Sequence, residues 1–430
     1  MQLIRRLIGL LLLLYIITGL TTVSAETNLQ DIINSTPEGK TVELPSGTYT
    51  GPLVINKSIT VIGQKGVKII ANGDSPALIL QNKGATVKNL SVENKDADYA
   101  IFISGSKHSL VNVNVKTAHI GVRLNEANSI EVRDVTVMGY QGAADEGNGI
   151  DLYRSENNVI ANNTVKDIRD GIYLEYSSAN KIYGNLVTRS RYGLHFMYTE
   201  NNVVQDNTLI NNHTGSMIMV SSNELYENNK LLENRQNVNS QGLYLYDVNE
   251  SKFQNNLIKD NRIGIMIDNT FTNEITRNIF QGNALGIIFK QSTDNNITYN
   301  DFKINTTTIL TYGDGSNQNN LSKNYWDNQQ GLDINGDGLS DLKVVADPYF
   351  MEITDKNSAF QLFFQAPGMM LMEKLFKSDE ASLVKDLTPA MSPNIEETEA
   401  TSLNMGIMYI SILFILVSII LFTLGRKKVQ

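Results

Sequence analysis

The side chains best suited to chemistry recur at intervals of 22 residues in the middle of this sequence. His195 and Met217 are 22 residues apart, and so are Met197 and Met219. If the surrounding segments are strands that pair in register, His195 would lie beside Met217 and Met197 beside Met219, at a strand spacing of about 4.8 Å. A thioether next to an imidazole suits Cu(I), so these four residues are a candidate site for a soft metal.

Aromatic residues flank these four positions and leave two other interpretations open. Tyr and Met are favoured at protein–protein interfaces, and Met adapts its shape to a partner. Alternatively, another part of the chain, such as the segment from Gln361 onwards, could cover this face. The residues that a partner-binding surface would use are Tyr173, Tyr192, Tyr198, Tyr244, Tyr246, Met266, Phe363 and Phe364.

Acidic residues near the same positions raise the question of an enzyme. Asp151, Asp170 and Glu175 could gather on one face with Arg154 or Arg169 beside them. Polysaccharide-cleaving enzymes need clustered acids with a basic group, often around calcium. These acids alternate with tyrosines and are not concentrated in adjacent repeats, which favours an ordinary solvated face. We therefore expect no catalytic residue.

The other histidines are expected to have structural or surface positions. His213 ends a repeat in the sequence NNHTG, where a turn residue with a hydrogen-bonded backbone is the favoured interpretation. His108 and His119 lie far from the Met and His residues along the chain, and we expect both at the surface.

An Asp-rich segment resembles the first half of a calcium-binding loop. Asp333, Asn335 and Asp337 place oxygen ligands at alternate positions, and Asp341 occupies the ninth position of the loop. Val344 stands at the twelfth position, where a bidentate Glu would be expected. The sequence therefore indicates a weak calcium site, with a metal-free Asx turn as an equally good alternative.

The repeat that spaces these residues determines the fold. Ten segments of about 22 residues start at Ala77, Tyr99, Gly121, Gly149, Gly171, Gly193, Gly215, Gly242, Gly264 and Gly286. The first and third residues after almost every start are large and apolar, an alternation that is typical of strands with one buried face. Asn recurs fourteen residues after the start of seven repeats, where stacked side chains can form a ladder. These patterns predict an all-β, right-handed parallel β-helix with about 22 residues per coil over residues 77–307.

A solenoid needs caps, and the sequence supplies a candidate at each end. Residues 26–76 are expected to hold an N-terminal cap and the first strands, with an amphipathic helix over Thr27–Ile33. Residues 308–350 are expected to form a last coil with the Asp-rich turn, and Trp326 to pack against the final coil.

The composition narrows the classes of function. The 430 residues contain 36 Lys and Arg against 45 Asp and Glu, a formal net charge of −9 that disfavours nucleic-acid binding. Because the sequence has no cysteine, disulfides, zinc knuckles, iron–sulfur clusters and thiol nucleophiles are excluded. With four histidines, a metal site would have to depend on carboxylates, amides or methionine.

Two apolar runs indicate where the chain acts. Residues 1–25 combine a basic start, an apolar run and a small-residue site, which is typical of a cleaved secretory signal, with an uncleaved anchor as the alternative. Residues 404–425 are long enough to span a bilayer, and the cations of residues 426–430 would stay in the cytoplasm. We expect a single-pass protein of the cell membrane with an extracytoplasmic main part, in which residues 351–403 form an apolar tail and an acidic linker.

Three segments of the sequence resemble the NosD family. They are RYGLHFMYTENNVVQDNTLINNHTG at residues 191–215, NYWD followed by GLDINGDGLSDLKVVADPY, and the tail AFQLFFQAPGMMLMEKLF. The resemblance covers nearly all of the chain between the signal and about Met391. It implies a non-enzymatic β-helix subunit outside the membrane, which works with an ABC-type ATPase and permease and a copper chaperone to mature nitrous oxide reductase.

Carried onto this sequence, the resemblance makes His195, Met197, Met217 and Met219 candidates for handling transient Cu(I) or docking the client enzyme. The apolar tail from Phe360 would contact the permease. Many family members are soluble periplasmic proteins, so the expected membrane anchor is a departure from the family. The alternatives are a surface polysaccharide lyase, hydrolase or epimerase, or a glycan-binding β-helix.

Overall fold

The chain winds into a parallel β-solenoid in which each coil pairs with the coil before it and the coil after it. The computed structural model describes residues 29–140, 147–312, 318–346 and 383–396, and within the intervening tail residues 353, 357–363, 366, 368, 371–372 and 375. A twelve-stranded parallel sheet forms one side of the solenoid, and we call it the first face. Its strands are Leu53–Ile55, Leu78–Leu80, Tyr99–Ser106, Ile120–Asn128, Asn148–Tyr153, Asp170–Glu175, Tyr192–Met197, Thr214–Ser222, Gln241–Asn249, Ile263–Asp268, Leu285–Lys290 and Thr307–Tyr312.

Two further stacks of strands complete each coil. One stack consists of Thr41–Leu44, Thr60–Gly63, Thr86–Asn94, Ser109–Thr117, Glu131–Arg133, Val159–Ala161, Lys181–Tyr183, Val203–Gln205, Leu225–Glu227, Lys252–Gln254, Glu274–Thr276, Asn296–Thr298 and Asn320–Ser322. The other consists of Gly47–Thr50, Val67–Ile70, Thr136–Gly139, Thr164–Lys166, Leu186–Thr188, Thr208–Ile210, Lys230–Leu232, Leu257–Lys259, Ile279–Gln281, Asp301–Lys303 and Tyr325–Trp326. The strands Thr86–Asn94 and Ser109–Thr117 pair with both stacks.

The predicted repeat is confirmed, with one shift in phase and one added turn at each end. The buried positions one and three are as expected, and Leu194 and Phe196 are examples of fully buried side chains. The strand pairing aligns Ile101 with Val122, so Ala100 rather than Tyr99 is equivalent to Gly121. The first face also begins with Leu53–Ile55 and ends with Thr307–Tyr312, which gives twelve turns instead of ten.

The glycines that open the coils from Gly121 to Gly286 are required by close stacking of the coils. A Cβ atom on Gly215 would lie 2.5 Å from the carbonyl oxygen of Gly242 in the next coil. The same approach recurs along the stack and ends with Gly286, whose neighbour is Thr308. Thr308 can carry a side chain because it lies in the last turn of the first face.

Asparagine ladders connect the coils, as predicted. Asn185 donates both its backbone N–H and its Nδ2 to Oδ1 of Asn207, at 3.0 and 2.9 Å, and also donates Nδ2 to a backbone carbonyl. Two further ladders, which the sequence pattern did not reveal, run through Asn180 and Asn234. Since each buried amide satisfies its neighbour, the polar turns can be buried without unpaired groups.

Both ends of the solenoid are capped. The helix Leu29–Ser35 buries Leu29 and Ile33 against the first strands, near the position of the helix predicted over Thr27–Ile33. At the other end Trp326 stacks on Phe302 at 4.3 Å. The strand Val384–Asp386 pairs antiparallel with Val344–Ala346, and Asp386 accepts hydrogen bonds from Asn324 and Trp326. The strands on either side of the tail segment therefore form a β-ladder, and the described part of this segment contains the 3₁₀ helix Ser358–Phe363.

Several predicted segments lie outside the described residues. They are the secretory signal at 1–25, the spanning segment at 404–425 and the cytoplasmic end at 426–430. Among the residues that the structure does describe, there is no helix with the length and apolar character needed to cross a bilayer.

Candidate functional site

The first face brings together the four residues proposed for a soft metal. His195 pairs in register with Met217, and Met197 pairs with Met219, as the sequence predicts. Tyr173 lies beside His195 on the preceding strand, and Tyr244 lies beside Met217 on the following strand. The two columns of side chains therefore run across adjacent coils of a rigid sheet, which fixes their spacing.

Two of these residues are much less exposed than the sequence suggested. His195 is 7% exposed and Met217 is 6% exposed, so the expectation of an exposed Met and His surface is wrong for this pair. The rings of Tyr173 and Tyr192 lie 4.9 and 4.8 Å from the imidazole of His195 and cover it from two sides. A ligand at this site would therefore be largely shielded from water.

The orientation of His195 is set by a buried ion pair. Its Nδ1 lies 2.9 Å from Oδ2 of Asp170, and Arg191 donates two hydrogen bonds to the same carboxylate at 2.9 and 2.6 Å. Burial alone would raise the pKa of Asp170, but the hydrogen bonds from His195 and Arg191 and the charge of Arg191 outweigh it and lower that pKa. The ionised carboxylate favours the tautomer with the proton on Nδ1.

The other ring nitrogen of His195 is left without a partner. Nε2 is buried and makes no hydrogen bond. In this tautomer it carries a lone pair, and an unsatisfied buried acceptor is costly unless a ligand uses it. Metal-binding histidines usually donate their second nitrogen to a carboxylate in this way. The arrangement fits an imidazole prepared to bind a metal through Nε2.

The three methionines differ in their burial and in whether the sulfur atom accepts a hydrogen bond. The hydroxyl of Tyr173 donates a hydrogen bond to Sδ of Met197 at 3.5 Å. Burial, followed by the charge of Glu175, raises the pKa of Tyr173, so this hydroxyl remains a neutral donor. Met217 is buried beside His195, whereas Met219 is partly exposed. Among the described residues no group of three or more His, Asp or Glu could hold a metal, so a metal here would depend on thioether sulfur.

Two of the three predicted acids of this face are buried, contrary to the sequence-based expectation of a solvated surface, whereas Glu175 is half-buried. Asp151 and Asp170 are almost completely buried. Asp151 accepts hydrogen bonds from Arg123 at 2.6 Å and from Asn148 at 2.7 Å, and burial raises its pKa despite these contacts. The paired cations are Arg123 and Arg191, rather than the predicted Arg154 or Arg169. Asp170 immediately precedes Gly171. The alternation of apolar residues begins after this glycine, so it did not indicate whether the side chain of Asp170 points inward or outward.

The predicted partner-binding residues fall into two groups. Tyr198 and Tyr246 are exposed, and Phe363 in the tail is 52% exposed. The residues Tyr173, Tyr192, Tyr244 and Met266 are half-buried on the first face, and Phe364 lies outside the described residues. Tyr176, which was not among the predicted residues, is exposed and stacks on Tyr198 with a centroid distance of 4.9 Å. The tail also exposes Phe360, Leu371, Met372 and Leu375.

The Asp-rich loop has the conformation of successive Asx turns. The carboxylate of Asp333 accepts backbone hydrogen bonds from Gly336, Asp337 and Gly338. These bonds lower the pKa of Asp333. Asp341 accepts a hydrogen bond from the backbone of Ile334 at 2.8 Å. The calcium site remains a prediction.

The other histidines are divided between core and surface. His108 is buried, so its predicted surface position is wrong. Its Nδ1 accepts a hydrogen bond from the backbone of Ala85, and its Nε2 lies 3.1 Å from the carbonyl of Ser104. Burial lowers its pKa. His119 is partly exposed. His213 is exposed, and its backbone N–H donates to Ser190 as expected for a turn residue.

Comparison with known proteins gives the chain a family. The sequence model of a family described as "Periplasmic copper-binding protein (NosD)" matches residues 126–338, a range that contains the whole candidate site. A protein from Pseudomonas aeruginosa, named "Probable ABC transporter binding protein NosD", is 27% identical over 168 residues. The chain belongs to the NosD family. The alignment with the Pseudomonas protein covers 37% of the present NosD-family chain and 39% of the Pseudomonas protein, so the chain spans about two fifths of that relative's length.

Solved structures with the same architecture come from carbohydrate-acting enzymes. The catalytic domain of a GH87 alpha-1,3-glucanase in complex with nigerose aligns with a TM-score of 0.54 and 14% identity, over 66% of this NosD-family chain and 64% of the glucanase chain. A family 28 exopolygalacturonase from Yersinia enterocolitica aligns with a TM-score of 0.50 and 12% identity, over 69% and 73% of the two chains. At these identities the likeness shows the fold alone.

Proposed function

We propose that this NosD-family chain is a non-catalytic extracytoplasmic subunit that receives and passes on Cu(I) during copper-site assembly in nitrous oxide reductase. The observation that carries the proposal is the buried, unpartnered Nε2 of His195 beside Met217. The family description as copper-binding supports the choice of metal. In this role copper is the cargo of the protein and not a resident cofactor.

The residues around His195 suit transient binding of a soft cation. Asp170 holds the imidazole through Nδ1 and is itself held by Arg191, which leaves Nε2 available for a ligand. Met217 is the nearest thioether in register, and Met197 and Met219 lie on the same two strands. Imidazole and thioether ligands are neutral, so they bind Cu(I) without the strong retention that thiolates would give. Such a site can release its metal to an acceptor.

The solenoid and its tail suit a docking role. The name of the Pseudomonas relative indicates an ABC transporter, so we assign an ATPase and a permease as partners, with a copper chaperone and the reductase as donor and client. The exposed Phe360, Phe363 and Leu371 of the tail form an apolar surface for the permease. A spanning helix at 404–425 would hold the subunit at the membrane, and the ATPase would supply the energy.

The carbohydrate-active alternatives receive less support from the same face. Asp151, Asp170 and Asp268 are the buried acids there, and each is paired with a cation. Because the hydrogen bonds from His195 and Arg191 lower the pKa of Asp170, its carboxyl is a poor proton donor to a sugar. The enzymes that share the fold support the architecture only.

Purification from host membranes in mild detergent tests the partners, and Cu(I) titration tests the cargo. We expect the chain to co-purify with an ATPase and a permease in constant proportion. Replacement of Met197, Met217 and Met219 by alanine should weaken Cu(I) binding, while Met266→Ala, on the same face, should not. An unchanged Cu(I) affinity in the triple variant would exclude the metal site, and recovery with bound polysaccharide alone would favour glycan chemistry.

A further inference from the structure

A pocket next to the candidate metal site is built by an irregularity in the repeat. The step between opening glycines is 22 residues from Gly193 to Gly215 but 27 residues from Gly215 to Gly242. The five extra residues, 235–239, form an exposed loop between the buried Asn234 of a ladder and the buried Ser240. We call this loop the insertion loop.

The insertion loop is held in place by its own hydrogen bonds. The backbone of Asn237 donates to Oγ of Ser240 at 3.0 Å, and the backbone of Asn239 donates to the side chain of Asn237 at 2.8 Å. Gln236 donates from its side chain to the carbonyl of Asn211 at 2.7 Å in the preceding coil. The loop therefore forms a defined wall that rises from the coil carrying Met217.

The insertion loop lines an open pocket of about 390 Å³ that borders the candidate metal site. Arg191, Tyr192, His213, Gln241 and Tyr244 line it together with the insertion loop. Tyr192 also contacts the imidazole of His195, and Tyr244 lies beside Met217 in register. The charge of Arg191 is matched by Asp170, which binds it through two hydrogen bonds. Because the carboxylate of Asp170 neutralises this guanidinium, Arg191 repels an incoming cation only weakly.

His213 supplies an available ligand in this pocket. Its imidazole is exposed and makes no hydrogen bond or ion pair in the described structure. Thr214, the next residue, pairs with Tyr192, which places His213 level with Arg191. At about 3.3 Å per residue and about 4.8 Å between strands, the Cα atoms of His213 and His195 are roughly 14 Å apart. Two side chains and a short movement of the ion can cover that separation.

We propose that the pocket is the route by which Cu(I) reaches the buried site, and that His213 is the first ligand of the arriving ion. This inference rests on the function proposed above. The exchange replaces one neutral donor by another, so copper stays Cu(I) and no electron or proton is transferred. Passage through His213 would explain how a metal reaches an imidazole that is almost completely covered.

The test compares the rate of Cu(I) uptake with the equilibrium affinity in the full-length protein in detergent. The probe is the Cu(I)–bicinchoninate complex, whose loss of colour is followed by stopped flow and by titration. We expect His213→Gln to slow uptake by about tenfold, the effect typical of losing one metal-site partner, with little change in affinity. His119→Gln is the matched control, since His119 precedes Gly121 by two residues as His213 precedes Gly215.

A second variant tests the wall. Deletion of residues 235–239 restores the 22-residue step and joins Asn234 to Ser240, giving the sequence NSQG in phase with NHTG. We expect this deletion to change the uptake rate and leave the affinity similar. Uptake rates equal to the wild type in both variants would overturn the inference while the proposed function stands. Failure of the wild type to take copper from the probe would instead overturn the proposed function.

Discussion

A buried acid that interrupts an asparagine ladder makes stability depend on pH. Glu224 occupies the ladder position that Asn180 and Asn202 fill in earlier coils. It accepts hydrogen bonds from Thr199 at 2.7 Å and from the backbone and side chain of Asn202 at 2.9 and 3.0 Å. Burial raises the pKa of Glu224 to about 7, against the effect of these hydrogen bonds. The folded protein therefore keeps this proton up to near neutral pH.

The sign and size of the effect follow from the two pKa values. The unfolded chain would release the proton near 4.5, so the raised pKa gives stability that is complete below pH 4.5 and lost as pH rises to about 7. The difference of about 2.5 pKa units corresponds to about 3 kcal/mol. Glu224→Gln keeps the shape of the side chain and removes the charge. Because the amide nitrogen of the variant cannot accept one of the hydrogen bonds from Asn202, we expect a loss of stability that does not depend on pH. Relative to the wild type, the variant should gain up to about 3 kcal/mol of stability as the pH rises from 4.5 to above 7.

The assay is urea unfolding of the full-length protein in detergent at a series of pH values between 4.5 and 8. The difference between variant and wild type isolates Glu224 from the other titrating groups. Glu200→Gln, which changes an exposed neighbour, is the control and should show little pH-dependent difference. A Glu224→Gln variant that loses stability by the same amount at every pH would refute the reasoning, because the carboxylate would then be ionised and stabilising throughout.

Three further predictions concern the coils, the cap and the loop. Gly215→Ala should lower the free energy of unfolding by about 1–3 kcal/mol, because its Cβ atom would meet the carbonyl oxygen of Gly242 and the Nδ2 of Asn234. Gly368→Ala is the control, because Gly368 has open space around it. Equal urea midpoints for the two variants would contradict the stacking account. Asp386→Ala should remove the carboxylate that accepts hydrogen bonds from Asn324 and from the Nε1 of Trp326. We expect the free energy of unfolding to fall by about 1–3 kcal/mol and the fluorescence emission of the single tryptophan to shift to the red. Unchanged fluorescence would show that the cap does not depend on this contact. Calcium should raise the melting temperature only at about millimolar concentration, because Val344 stands where a full calcium loop has a bidentate Glu. If micromolar calcium raised the melting temperature and Asp333→Ala abolished this rise, the predicted weak affinity would be contradicted.

The period and register of the repeat were predictable because every coil obeys the same stacking geometry. The apolar residues at positions one and three and the asparagines at fixed phase are enough to place His195 beside Met217. Thr308 was harder to recognise as a coil start, since it lacks the glycine that opens the coils from Gly121 to Gly286. The shift from Tyr99 to Ala100 reflects the irregular spacing of the early coils.

The burial of the site could not be derived from the alternation of residues. Alternation indicates which side of a strand a residue occupies, but long neighbouring side chains decide how much of it solvent can reach. Tyr192 and Asp170 lie at the start of their strands and reach His195 along the face. The insertion loop was visible as five extra residues, yet only the folded chain shows that it lines an open pocket beside Tyr192.

X-ray absorption of the Cu(I)-loaded full-length protein tests the central claim most directly. The account predicts a Cu(I) spectrum with both sulfur and nitrogen neighbours, in which His195→Ala removes the nitrogen contribution and Met217→Ala reduces the sulfur contribution. Met266→Ala should leave the spectrum unchanged. A protein that retains no copper, or a spectrum with oxygen neighbours only that these variants do not alter, would contradict the assignment of the site to His195 and Met217.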